Sequence, residues 1–447
     1  MFKTIANAWK VPDLRKKMLF TIFIVFVFRL GSAIPVPFLD VDVLRTLTAS
    51  WNDSNNMLSY VDMFSGGAFS NATLFAMSVT PYINSSIIMQ LLTVAIPPLE
   101  RLSKEGTEGR KKIGTITRYV TVIIGIIQGT AYYIYLLRSQ VQADDGSIKN
   151  IVEYQGWNFT AVFAAITIIM TFTAGTALMM WLGEQINQNG LGNGISILLF
   201  VGIIARLPVT CLVLWENFQD GLAGQTQNLI YSVIFVLIFL VIIWVIVFMN
   251  DAERRIPIMY AKRVVGRKMY GGQSSYLPVK VGLSGVMPII FASSILSIPQ
   301  TILMFLDQNN LPDFWKGFFN IFTPTNWIYI ALYFLMIIGF GYFYVTIQYN
   351  PLEMANNLRQ NNGTIPGIRP GKPTTDFIAK IISRITLIGS LFLAFIAIVP
   401  LLFSKFSGMT GLMLGGTSVI ILVGVALETM RQLESQLMMR HYKGFLD

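Results

Sequence analysis

From Leu229 to Met249 the chain reads LIYSVIFVLIFLVIIWVIVFM, a run with no charged residue, no glycine and no proline. About 20 such residues in a helix cross the hydrocarbon core of a bilayer. Only helices and closed barrels satisfy their backbone groups in lipid, and a barrel strand alternates apolar with polar residues. This run is continuously apolar, so it reads as a transmembrane helix and sets the class of the whole chain.

Reading outward by the same rule gives ten spans, near Met18–Ile34, Ala72–Ile96, Tyr119–Leu137, Phe159–Leu182, Ile195–Trp215, Leu229–Met249, Val281–Leu306, Trp327–Tyr349, Ile385–Phe403 and Leu412–Leu427. The composition agrees: 447 residues, 54% hydrophobic and only 13% charged, carry more apolar surface than a soluble fold of that length buries.

Short loops rich in Lys and Arg stay in the cytoplasm. The N-terminus (Lys3, Lys10, Arg15, Lys16, Lys17) and the loops Arg101–Arg118, Arg254–Lys280 and Arg359–Arg384 are basic; they alternate with loops carrying Asp40, Asp42, Asp53 and Asp62, then Asp144 and Asp145, Glu216 and Asp220, and Asp307 and Asp313. The expectation is a multi-pass membrane protein with both termini cytoplasmic. Lys405 is a mild dissent, alone in an external loop. The first span, ending in Gly31-Ser32-Ala33, has the look of a cleaved signal peptide, but nine further spans make it a retained helix. The net charge of +10 is accounted for by topology and acidic partners.

A single cysteine, Cys211, and a single histidine, His441, exclude a disulfide framework, a Cys/His metal cluster and a serine-histidine triad. Cys211 is expected to be a small packing residue and His441 a solvated one. Ion-coupled pumps keep carboxylates or histidines within their spans, whereas Glu100, Glu184 and Glu428 lie at span ends, and Arg29 and Arg206 are near enough to ends to snorkel. Residues Gly367 to Thr374 superficially follow a phosphate loop, but Pro373 stands where Ser or Thr would bind magnesium. No cofactor, metal or catalytic residue is expected, and energy must come from outside the chain.

Two irregularities stand out. Met63-Phe64-Ser65-Gly66-Gly67-Ala68-Phe69-Ser70 is too polar and glycine-rich to face lipid, and suits a short helix buried in protein. Pro81, among Ser78, Thr80, Asn84, Ser85 and Ser86, is expected to interrupt the second span, where small polar residues commonly join helices. Asn187 to Ser196, with alternating glycines, reads as a tight turn opening the fifth helix.

Taken together, several stretches resemble the SecY/Sec61-alpha family: Phe28-Arg29-Leu30-Gly31 with Ile34-Pro35-Val36-Pro37, Met63 to Ser70, Pro81 to Thr93, Trp181 to Gln185 with Gly192 to Ser196, Tyr260 to Arg263, Ile290 to Ser294, Asn350-Pro351 with Pro366 to Gly371, and Gly415 to Ser418. They run in family order from the first helix to the last. The resemblance implies an all-α membrane protein of ten transmembrane helices in two inverted five-helix halves, forming an hourglass pore with a plug helix. The halves would be residues 1–215, with the plug at about 60–71, and 216–447, with cytoplasmic loops at about 250–280 and 350–384.

Carried across, a pore ring would comprise Val79, Ile83, Ile195, Leu199, Ile290 and Ile421; the first two pairs are each four apart and share a helical face. The plug would include Phe64, Ser65, Gly66 and Gly67, the glycines suiting a segment packed weakly enough to leave. A lateral gate would draw on Ile87, Gln90, Gln128, Ser293, Ser294 and Ile298, with Pro288 and Pro299 letting the seventh helix bend. Partner docking would fall to Arg254, Arg255, Lys262, Arg263, Arg267, Lys268, Arg359 and Arg369, Arg369 foremost.

The implied function is a protein-conducting channel that passes unfolded secretory polypeptides across the membrane and releases membrane segments sideways into the lipid bilayer. The implied partners are the small membrane subunits SecE and SecG, the SecA ATPase motor, the ribosome with its RNA, and signal sequences and nascent polypeptides. A secondary solute transporter shares the span count and inverted repeats and is the alternative; a scaffold without transport is a third. Asn250-Asp251-Ala252, less basic than the family pattern, and a short tail after Tyr442 put only partner affinity in question.

Overall fold

A computed structural model describes residues 2–53, 62, 65–142, 148–154, 156, 158–223, 226–260, 263–265, 268–270, 274–306, 312–324, 326–407 and 416–443. It is predominantly helical. In chain order the helices are α1 (Phe2–Lys10), α2 (Pro12–Gly31), α3 (Val41–Asp53), α4 (Thr80–Ala95), α5 (Pro97–Lys104), α6 (Thr107–Arg138), α7 (Phe159–Asn189), α8 (Gly194–Leu222), α9 (Thr226–Asp251), α10 (Met287–Phe305), α11 (Asp313–Ile321), α12 (Trp327–Gln348), α13 (Pro351–Gln360), α14 (Lys372–Ser407) and α15 (Gly416–Lys443).

Every one of the ten expected spans contains a helix: α2, α4, α6 to α10, α12, α14 and α15. Six described helices are long and apolar enough to cross a membrane outright, and α4 with α5 makes a seventh, bent by 101° at Ile96 before Pro97-Pro98. The others fall short for visible reasons. Helix α2 carries Arg15, Lys16, Lys17 and Arg29, α10 is only 19 residues long, and α15 runs on past its apolar part into Glu428, Arg431 and Glu434.

Two span boundaries differ from the sequence reading. The second helix begins at Thr80 rather than near Ala72, and Gly66 to Val79 winds through turns with Ala72 and Ser78 at positive φ. The seventh begins at Met287 after a turn spanning Val281 to Val286. Pro81 and Pro288 therefore start their helices instead of interrupting or bending them. Proline in the first turn gives up an N–H that has no intrahelical partner, so it costs nothing there. Pro299 does lie inside α10.

The apolar cores divide along the chain. One cluster draws only on residues between Val36 and Phe172, another only on residues between Ile242 and Leu427, and a third, from Ile24 to Val425, joins the two sets. Small sheets lie outside the spans. Strands β1 (Gln140–Gln142) and β2 (Ile148–Asn150) pair antiparallel, as do β4 (Arg263–Val265) and β5 (Lys268–Tyr270). The third sheet has order β6-β3-β7, with β3 Glu253–Tyr260, β6 Ser274–Lys280 and β7 Gly363–Thr364.

Contacts define two ends. At one, Arg118 Nε donates to Glu184 Oε1 at 2.7 Å, and Arg431 donates to the Asn250 carbonyl and to Asp251 Oδ1, both at 2.6 Å. The span-end charges Glu184 and Asp251 are thus paired between helices. Glu100 accepts from Lys104 Nζ at 2.6 Å, which holds its carboxyl below the usual range. At the other end, Lys405 lies 4.0 Å over the Trp327 ring, so the dissenting lysine has an aromatic partner where α14 ends and α12 begins. Cys211, expected to pack, is exposed on α8. The side chain of His441 lies outside the described residues.

Candidate functional site

The expected turn at residues 187 to 196 narrows to 190–193, with Asn187 to Asn189 closing α7 and Gly194 to Ser196 opening α8, and its geometry sets where α8 begins. Gly192 takes φ +81°, a conformation that favours glycine. Asn187 Oδ1 accepts from the Gly194 N–H at 2.7 Å, and Asn193 Oδ1 accepts from Ile195 and Ser196 at 3.2 and 3.4 Å, the N-cap role its type prefers. Ile195 and Leu199 are thereby fixed on the first two turns of α8. Val79 immediately precedes α4 and its carbonyl accepts from the Ile83 N–H at 3.0 Å, which sets these two side chains on one face.

The six aliphatic residues singled out from the sequence come together. Val79, Leu199, Ile290 and Ile421 are buried in one apolar cluster, and Ile83 and Ile195 pack against it partly buried. They arrive from α4, α8, α10 and α15. On one side of this collar a cavity of about 790 Å³ opens, lined by apolar residues such as Leu283, Met287 and Leu393 together with polar ones including Asn193, Lys280, Glu428 and Arg431.

On the other side lies the glycine-rich segment, and it is not weakly packed. Ser65, Ala68 and Phe69 are fully buried. The Phe69 ring stacks on Tyr132 of α6 with centroids 4.3 Å apart, and Tyr132 Oη donates to the Phe69 carbonyl at 2.6 Å. Ser65 Oγ donates to the Asp62 carbonyl and accepts from the Phe69 N–H, both at 2.9 Å. A Cβ on Gly66, at φ +67°, would stand 3.0 Å from the Gly202 carbonyl oxygen of α8. That glycine serves close approach rather than loose fit. Phe64 lies outside the described residues.

Arg29 and Arg206, expected to snorkel, instead turn to this segment. Arg206 pairs with Asp62 and its Nη2 donates to Ser70 Oγ at 3.3 Å, while Asp62 Oδ1 accepts from the Ser70 N–H at 2.7 Å. Arg29 Nη1 reaches the Gly66 carbonyl at 3.5 Å. Arg206 is largely buried and is held by the Asp62 carboxylate, whereas Arg29 stays exposed and reaches only a backbone carbonyl. The sequence signal was available, since Ile195, Leu199, Gly202 and Arg206 follow the i, i+4, i+7, i+11 spacing of one helical stripe.

Helix α10 packs against α4 and α6. Ile87 and Ser294 are buried there, Gln128 and Ser293 half-buried, and Ile298 exposed. Gln90 Nε2 donates to Ser86 Oγ at 3.2 Å on its own helix, and Ser293 Oγ donates to the Ile290 carbonyl at 3.0 Å. The sequence reading missed Arg138, whose Nη1 donates to the Phe305 carbonyl at 3.0 Å and ties the end of α6 to the end of α10.

The two basic loops, separate in sequence, share the β6-β3-β7 sheet: Arg254 pairs with Val279, Met259 with Thr364 and Tyr260 with Gly363. Ile256 and Ile258 anchor β3. Arg254 is exposed; Arg255 donates to Glu253 at 2.7 Å and lies 4.8 Å over Tyr276. Arg359 is exposed on α13, and Arg369 is exposed at a tip turned by Gly367 (φ +80°) and Gly371 (φ +108°). Arg263 and Lys268 belong to the β4–β5 hairpin, and Lys262 and Arg267 lie outside the described residues.

With this geometry in place, comparison with known proteins is specific. The protein translocase subunit SecY of Streptomyces scabiei is 42% identical over 450 residues, covering all of both chains, and that of Mycobacterium tuberculosis (strain ATCC 25618 / H37Rv) is 40% identical over 456 residues, again covering all of both. Among solved structures, a protein-conducting channel superposes with TM-score 0.61 at 16% identity over 96% of each chain. Sec61 in the canine ribosome-channel complex from the endoplasmic reticulum gives 0.59 at 17%, also over 96% of each. The SecY family model matches residues 73–430. The glycine-bounded collar, the buried segment beside it and the ten helices around them are thus those of a member of the SecY family, to which this multi-pass membrane chain belongs.

Proposed function

We propose that the chain is a protein-conducting channel, which passes unfolded secretory polypeptides across the bacterial cytoplasmic membrane and releases membrane segments sideways into lipid. One observation carries this reading: six aliphatic side chains converge in one apolar cluster, with a cavity of mixed lining at the start of α8 and the buried glycine-rich segment further along that helix. An apolar constriction gates by dewetting and seals around any passing chain, because it offers no group that selects a sequence. Val79, Ile83, Ile195, Leu199, Ile290 and Ile421 form that ring, and the segment at about residues 60–71 forms the plug. The solute-transporter alternative is not favoured.

Residues 1–215 and 216–447 act as two halves that part along α4, α6 and α10. The segregation of apolar cores into one set before Phe172 and another after Ile242 supports this division. The basic loops lie in the cytoplasm with both termini and dock the drivers, a SecA-type ATPase or the ribosome. Arg254, Arg359 and Arg369 present exposed positive charge suited to ribosomal RNA or an acidic motor surface. SecE- and SecG-type subunits complete the assembly.

The test is a cysteine placed at Ile83 or Ile290 in a chain with Cys211 replaced by serine, probed with a stalled secretory polypeptide during active transport. Crosslinks to the stalled chain are expected at both sites. Active transport without crosslinks at either would overturn the reading.

A further inference from the structure

We propose that Asp62 and Arg206 are a specificity-determining latch: their ion pair holds Asp62 and the segment Ser65 to Asn71 against α8 and sets how strongly a translocating chain must act to open the pore. The proposal rests on the channel reading and deepens it by naming what holds the plug.

Asp62 is 2% exposed and is the one carboxylate buried among the described residues. A buried carboxylate is tolerated only when paired and hydrogen-bonded. Here Arg206 supplies the charge and the Ser70 N–H a bond at 2.7 Å. Arg206 is itself largely buried, and its Nε has no hydrogen-bond partner among the described residues, so the guanidinium's compensation comes chiefly from Asp62. Such a pair adds little net stability over well-packed apolar groups, but removing either member leaves an uncompensated buried charge.

What the pair supplies instead is a two-state contact. An apolar anchor would expose greasy surface each time the plug left, whereas Asp62 and Arg206 regain hydration when separated. Arg206 lies two turns beyond Leu199 on the same stripe of α8, about 10 Å along the axis. The helix that contributes Ile195 and Leu199 to the collar therefore also carries the socket. Gly202, between them on that stripe, admits Gly66 to backbone contact. Any shift of α8 that widens the collar also pulls Arg206 from Asp62, so the latch and the ring open together.

The experiment uses the full channel complex in a planar bilayer, with ion conductance measured in the absence of any polypeptide. Asp62→Asn and Arg206→Gln are each expected to raise the resting leak on the order of ten-fold or more, and the swap Asp62→Arg with Arg206→Asp to bring it back to within about three-fold of the parent. The single variants should also export a preprotein whose signal sequence the parent rejects. Single variants as tight as the parent, or a swap as leaky as the singles, would overturn the latch. If the singles fail to accumulate, Asp62→Cys with Arg206→Cys in a Cys211→Ser chain replaces them. Oxidation should then lock the channel against transport and reduction release it, and transport equal in both states overturns the proposal. A leak that follows the pair in a channel that moves no polypeptide would sink the channel reading and leave the latch standing.

Discussion

Along one stripe of α8 the side chains change character within three turns. Ile195 and Leu199 meet an apolar collar, while Gly202 and Arg206 meet a segment held by an ion pair, hydrogen bonds and a glycine contact. The collar is degenerate, because aliphatic groups of similar volume exchange at small cost. The socket is specific, because its two charges meet each other and both reach Ser70, Asp62 through the N–H and Arg206 through Oγ. The contrast separates two tasks: a seal must accept any polypeptide, whereas a lid must recognise one particular segment and release it on cue.

The widest difference is expected when the collar is made polar. Ile421 is 1% exposed, and Ile421→Asn buries an amide with no partner, at about 1–3 kcal/mol, or draws water into the constriction to hydrate it. We predict a large rise in resting ion conductance and export of preproteins with defective signals, whereas Ile421→Leu should change either by less than about ten-fold. An Asn variant that seals like the parent, in the same planar-bilayer assay, would mean that Ile421 is core and not ring.

A smaller effect is expected from the socket's backbone. Gly66 and Gly67 both adopt positive φ, which costs an L-residue about 1–2 kcal/mol. A Cβ on Gly66 also meets the Gly202 backbone at 3.0 Å, whereas one on Gly67 meets only the Arg206 side chain at 3.5 Å. Gly66→Ala should therefore raise the leak more than Gly67→Ala. The reverse order would show that close approach to α8 is not what glycine provides at position 66.

How much of this was legible in the sequence follows the same division. The ten helices and the turn at Asn187 to Ser196 depend on runs and spacings, which survive as linear patterns, whereas the six collar residues come from the family resemblance, since taken singly they pass as core. The socket was misread because its logic is non-local. Arg206 close to a span end looks like a snorkelling charge, and Asp62 looks like a loop charge, until folding brings them together across 144 positions of chain. Gly66-Gly67 suggested looseness for a related reason: composition cannot tell a glycine that frees a chain from one that lets two backbones touch. Pro81 reads as an interruption and Pro288 as a bend because the second and seventh helices start later than the apolar runs do. The pairing of Tyr260 with Gly363 joins two loops more than a hundred residues apart, and no local signal announces it.

The finest test separates charge from neutral contact within the socket. Tyr132→Phe keeps the ring that stacks on Phe69 but removes the hydroxyl that donates to the Phe69 carbonyl at 2.6 Å. A neutral hydrogen bond of this kind contributes about 0.5–1.5 kcal/mol net, so the leak should rise by about two- to ten-fold, less than on breaking Asp62–Arg206. Helix α6 carries no collar residue, so this bond need not break when α8 moves; its loss should weaken the seated plug without relaxing the discrimination between intact and defective signals. If Tyr132→Phe relaxed that discrimination as fully as Arg206→Gln, the plug would respond to total binding strength alone, and the coupling of lid to collar through one stripe of α8 would lose its support.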